Sequence, residues 1–171
     1  MINQEEKKKQ LEEFEKSLEG KTLEELQKME EEVVTEADKI DKEVSETKFE
    51  LPADNYEFVA RGIRMILAKK TVQWQFTLGM VAMYDFWDEE KKPAEVPYPM
   101  LDGTLRALGE CSFTGYDEWA AVVAINKYFE GIREDYVATT EKVYDVAAKH
   151  NAIMDAIQKN TPIEPRTTEE K

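Results

Sequence analysis

An all-α fold is predicted: a bundle of long antiparallel helices with an N-terminal helical, coiled-coil-like arm. Three observations point to it. From Val122 to Ile157 a seam residue recurs at alternating spacings of three and four: Val122, Ile125, Phe129, Ile132, Tyr136, Thr139, Val143, Val146, His150, Ile153 and Ile157. Only Thr139 and His150 are not apolar. Such spacing averages about 3.5 residues, so these side chains form one seam on a long helix that another helix must cover. Second, residues 1–50 carry nine Lys and no Arg against seventeen Asp and Glu, a net charge of −8 out of the chain's −14. Third, all three Trp and all seven Tyr lie in residues 51–171, so the aromatic core belongs there. The predicted organisation is a charged amphipathic arm at 1–50, a helical bundle at 51–160 and a tail at 161–171.

The arm reads as two helices. Leu11, Phe14 and Leu18 form a short apolar stripe, and Gly20 can end that helix. Thr22 and Glu25 stand at the capping-box spacing and open a second helix, predicted to reach about Thr47. Leu23, Leu26, Met29, Val33, Ala37, Ile40 and Val44 make a narrow stripe along it, surrounded by Glu, Lys and Asp. So thin a stripe needs a groove on another subunit or on its own bundle. Leu23, Leu26, Val33, Ile40 and Val44 are the predicted partner-docking residues. The arm is expected to be dispensable for folding of the rest.

Leu51 and Pro52 interrupt the chain, and Asp54 can cap a helix with Glu57 at the capping-box position. Helical spacing runs from Tyr56 to Trp87, through Tyr56, Val59, Ile63 and Ile66 and then Val72, Phe76, Met80, Met83 and Trp87. Thr71 to Leu78 also alternates polar and apolar like a strand, but no second good strand candidate appears, so helix is preferred. Pro93, Pro97 and Pro99 mark a loop, partly extended, before a short helix near Gly103–Glu110 with Leu101, Leu105 and Leu108 inward. Thr114 can cap the last helix, which carries the seam toward Lys159, with Gly131 as a possible bend. The seam is uneven in size, which suits packing against a different helix, here the segment Tyr56–Trp87.

Charge and motifs narrow the function classes. A chain of net charge −14 and pI near 4.6 repels phosphate backbones and anionic membranes, so neither direct nucleic-acid binding nor membrane binding is expected. Met1–Gln10 is polar where a secretory signal would be apolar, so a soluble, intracellular or assembly-bound protein is expected. One cysteine, Cys111, excludes an internal disulfide framework. Cys111 needs a base to act as a nucleophile, and His150, the only histidine, sits in the seam, where a packing or register role is the ordinary one. One Cys and one His do not make a zinc site. Glu130, Glu134 and Asp135 lack the Glu-x-x-His partners of a di-iron bundle, and Glu31, Glu32 and Glu36 read as a solvated face. No phosphate loop or nucleophile elbow is present.

No catalytic, cofactor-binding or metal residue and no small-molecule substrate is therefore predicted. Trp74, Phe76, Tyr84, Phe86, Trp87, Trp119, Tyr128 and Phe129 could line a ligand pocket, but such spacings more often mark core. The expected function is a non-enzymatic structural or adaptor subunit that binds a protein partner or itself, for instance in a viral particle. The alternative is a small bundle enzyme or ligand-binding protein using the aromatic interior and carboxylates. Acidic mimicry of nucleic acid is disfavoured because Lys is interleaved with Glu.

Overall fold

The computed structural model describes residues 4–69 and 77–161 and is mostly helical. It has two compact units, one formed by Met1–Lys42 with Ala138–Lys171 and the other by Glu43–Val137. The expected boundary at residue 50 falls instead inside the second unit. The physical reason is that the arm shares a core with the end of the seam.

In the first unit, α1 (Gln4–Leu18) ends before Gly20, whose φ of +78° is the left-handed geometry a helix stop favours. The capping box forms as expected at the head of α2 (Leu23–Glu46). The Thr22 N–H donates to Glu25 Oε2 at 2.8 Å, and the Glu25 N–H donates to Thr22 Oγ1 at 3.2 Å. The bond from the Thr22 backbone, with that from its hydroxyl, holds the Glu25 carboxyl below the usual carboxylate range. Leu18, Leu26 and Val33 are buried with Ile153 of α7 (Arg133–Asn160), and Phe14, Met29, Ala152, Ala156 and Ile157 pack around them. Lys7 bridges to Asp145 at 3.1 Å, and Lys149 to Glu36 at 3.2 Å. These partly exposed pairs add at most about 1 kcal/mol each, so the apolar contact dominates. Burying Leu18, Leu26 and Val33 against Ile153 makes the arm part of a core with α7.

In the second unit, β1 (Lys48–Glu50) pairs antiparallel with β2 (Glu95–Pro97), with Phe49 opposite Val96. Phe49 and Val96 are buried while Lys48, Glu50 and Glu95 are exposed, the two-residue alternation of a half-buried strand. Backbone bonds from Leu51 to the Ala94 carbonyl and from Tyr98 to the Thr47 carbonyl, both 2.8 Å, extend the ribbon. This ribbon is an addition to the predicted all-α fold. The short helix also starts earlier than expected: α5 (Tyr98–Gly109) takes Pro99 into its first turn, where a missing N–H costs nothing.

The segment read as one helix from Tyr56 to Trp87 contains α3 (Tyr56–Lys69) and α4 (Thr77–Phe86). The possible strand at Thr71–Leu78 lies mostly outside the described residues, and its last two positions are helical. Asn55, at φ +65°, leads into α3. Tyr56, Val59, Ala60, Ile63, Ile66 and Leu67 are buried along it. The seam helix is divided: α6 (Tyr116–Tyr128) ends, a 3-10 turn covers Glu130–Ile132, and α7 begins at Arg133. α6 packs on α3 as expected. The later seam positions Val146 and Ile153 belong to the first unit. No seam residue is fully exposed.

The contact between α3 and α6 is close at Gly62, where an added Cβ would stand 3.2 Å from Ala121 Cβ. Gly62→Val is therefore expected to lower stability by about 1–3 kcal/mol through overpacking. Gly79→Ala in α4 meets nothing within 4 Å. It should raise stability or leave it unchanged, by up to about 1 kcal/mol. Thermal melts of the two variants test this; equal losses would mean that α3 and α6 do not approach at Gly62.

Candidate docking surface

The composition of α6, Tyr-Asp-Glu-Trp-Ala-Ala-Val-Val-Ala-Ile-Asn-Lys-Tyr, is apolar around most of its circumference. A helix of this kind is ordinarily covered on more than one side. Glu118, Ala121, Ile125 and Tyr128 are buried. The Glu118 carboxylate accepts the Thr114 N–H at 2.8 Å, so Glu118 rather than the expected Thr114 side chain ties down the turn before the helix. The opposite side is open: Tyr116 is 85% exposed, Trp119 56% and Val123 63%. Steps of three and four place these side chains on one face. The half-buried Phe113 ring lies 5.8 Å from the Trp119 ring, extending the apolar ridge past the helix start.

The five residues expected to dock on a partner lie elsewhere. Leu26 and Val33 are in the core of the first unit, and Val44 is buried. Only Leu23 is exposed, and Ile40 is half-buried. As folded, the arm stripe therefore offers little continuous apolar surface. Leu26 and Val33 are covered by α7 of this same chain, through Ile153.

The candidate chemical residues are placed as follows. His150 Nε2 lies 4.0 Å from Glu30 Oε1, with both side chains partly exposed. The Cys111 thiol donates to the Ala107 carbonyl at 3.1 Å in the turn after α5. Glu130, Glu134 and Asp135 are exposed, as are Glu31, Glu32 and Glu36, the last paired with Lys149. Among the described residues, no three His, Cys, Asp or Glu converge to hold a metal ion, and no helix is long and apolar enough to cross a membrane.

The aromatic residues divide between core and surface. Trp74 and Phe76 lie outside the described residues. Trp87 is fully buried, stacked on Tyr56 at 6.1 Å and edge-on to Phe86 and Phe129 at 5.0 and 5.7 Å. Tyr128 donates to the Pro52 carbonyl at 2.7 Å. Burial pushes the Tyr56 and Tyr128 hydroxyls up to about 12, with Asp88 adding to the first and Tyr56 to the second. Both remain protonated donors at neutral pH. Tyr84 is on the surface beneath the Arg64 guanidinium, 4.2 Å from its ring centre. Trp119 departs from the expectation of core.

A shallow cleft of about 310 Å³ is lined by Asn55, Tyr56, Phe58, Arg61 and Lys92. Its cations are already engaged, Arg61 by Glu89 at 2.9 Å and Lys92 by Glu57. This neutralisation weakens it as an anion site. The α6 face is the stronger candidate because it exposes apolar side chains that water solvates poorly. No protein family, curated protein or solved structure matches the chain.

Proposed function

We propose that this protein is a non-enzymatic structural or adaptor subunit that joins a larger assembly by docking on a protein partner. The observation that carries this reading is the uncovered Tyr116–Trp119–Val123 face of α6. Exposed aromatic side chains on a regular element are the usual material of interface hot spots, and contiguous apolar patches of this kind mark interaction surfaces. The buried aromatic cluster around Trp87 favours this reading over a ligand-binding interior, because its rings fill the space with one another.

Trp119→Glu combined with Val123→Glu tests it. Both side chains are exposed, so stability should change by only about 0.5 kcal/mol per site. Affinity purification of the full chain from its native source should recover a defined partner that the double variant loses. Circular dichroism and melting should stay the same. Recovery of the same partners by both proteins would defeat the docking reading.

A further inference from the structure

We propose that the outer edge of β1 pairs with the same edge of a second copy of this chain, antiparallel and centred on Phe49. The first argument is the backbone. The bonds from Leu51 to the Ala94 carbonyl and from Tyr98 to the Thr47 carbonyl set the ladder, so the alternate residues Thr47, Phe49 and Leu51 turn their main-chain groups toward β2. Lys48 and Glu50 turn theirs away. Among the described residues, β1 pairs with no strand but β2. On the far edge of the ribbon the outward position is Pro97, which has no N–H to give. One edge can therefore extend the sheet while the other is blunted, so pairing ends at two copies.

Charge selects the occupant. Glu50 lies directly across the ribbon from Glu95, and both are exposed. Like charges in such a pair repel. Lys48 reaches Glu95 at 3.5 Å, and among the described residues Glu50 forms no ion pair. A two-fold axis at Phe49 sets Lys48 of the second copy opposite Glu50, and Glu50 of the second copy opposite Lys48. The Lys-Phe-Glu order of β1 is thus complementary to its own reverse, and each Glu50 gains a cation on the side away from Glu95. Charged side chains on an edge strand ordinarily discourage pairing. In this order they direct it, with each new Lys48–Glu50 pair exchanging both main-chain bonds. A three-residue edge buries little surface, so the dimer is weak and depends on concentration.

Sedimentation of the full chain tests the proposal, in about 0.15 M salt, which screens the net charge of −14 beyond about 8 Å. From about 10 µM to about 1 mM protein the mass should rise toward a dimer. Lys48→Glu and Glu50→Lys, each alone, set like charges opposite one another across the new pairs and should weaken dimerisation at least tenfold, with circular dichroism unchanged. Glu50→Lys also removes the repulsion with Glu95, so its loss of dimer cannot come from a weaker ribbon. An equimolar mixture of the two variants should form a heterodimer, because an acidic edge then meets a basic one. Both exchanges in one chain should restore the homodimer. Amide hydrogen exchange at Lys48 and Glu50 should slow with protein concentration more than at Phe49, which is already bonded to β2. A chain that stays monomeric throughout would overturn the proposal, as would a dimer that survives both single substitutions. Loss in the single variants with no heterodimer in the mixture would overturn the antiparallel register. A dimer abolished instead by Trp119→Glu with Val123→Glu would overturn it in favour of the α6 face.

Discussion

Trp87→Ala is expected to lower the stability of the protein by about 3–5 kcal/mol. The indole is fully buried, touches three aromatic neighbours and fills the space between α3, α5 and the end of α6. Its Nε1–H donates to Thr104 Oγ1 at 2.8 Å, and that hydroxyl in turn donates to the Met100 carbonyl at 2.7 Å. Truncation removes the apolar contacts and leaves a cavity, while Thr104 loses a donor in a dry site. The two costs can be separated. Thr104→Val keeps the packing volume but leaves the indole N–H without its acceptor, so about 1–3 kcal/mol should be lost. Trp87→Phe should fall between the extremes. Urea denaturation monitored by circular dichroism measures all three. A loss below about 1 kcal/mol for Trp87→Ala would mean that Trp87 is not the centre of this core.

Local rules were legible in the sequence wherever neighbouring residues decide the outcome. Thr22 and Glu25 form their reciprocal cap, and Gly20 takes the left-handed turn. Across the Phe129–Ile132 turn the seam is kept only in part: Phe129 is buried and Ile132 half-buried. The ribbon was not legible. Lys48–Glu50 and Glu95–Pro97 are three residues each, too short for a period, and they pair across 47 positions of chain. Pro99 does not by itself separate a loop from a helix start, because proline is equally at home in a first helical turn.

The proposed docking face is the least legible feature. Spacing along α2 shows which face needs cover, yet it cannot distinguish a groove on a partner from the groove made by Ile153 and Ile157 of the same chain. The α6 problem is the converse. With apolar residues on nearly every side, its sequence does not show which side the fold leaves open, so Trp119 read as core. The close packing of Gly62 against Ala121 marks the side that the fold covers.

Ile153→Asp should cost about 3–5 kcal/mol or more, whereas Met154→Asp, one position along, should stay within about 0.5 kcal/mol. The two residues share a helix and differ in direction. Ile153 is fully buried against Leu18, Leu26 and Val33, while Met154 is exposed. A carboxylate at 153 would have no cation within that apolar cluster and would have to take up a proton or open the core. Leu26→Asp, on the opposite wall of the same cluster, should be equally damaging. The pair Leu26→Ala with Ile153→Ala should lose less than the sum of its single variants, since each removes contacts the other shares. That coupling distinguishes an arm folded onto α7 from one that only docks elsewhere. Unfolding of the first unit, followed by hydrogen exchange at the backbone amides of α2 and the later turns of α7, supplies the readout. If Ile153→Asp and Met154→Asp melt alike, or if the two alanine substitutions are strictly additive, the arm does not cover this seam. Leu26, Val33 and Ile40 would then again be available to a partner.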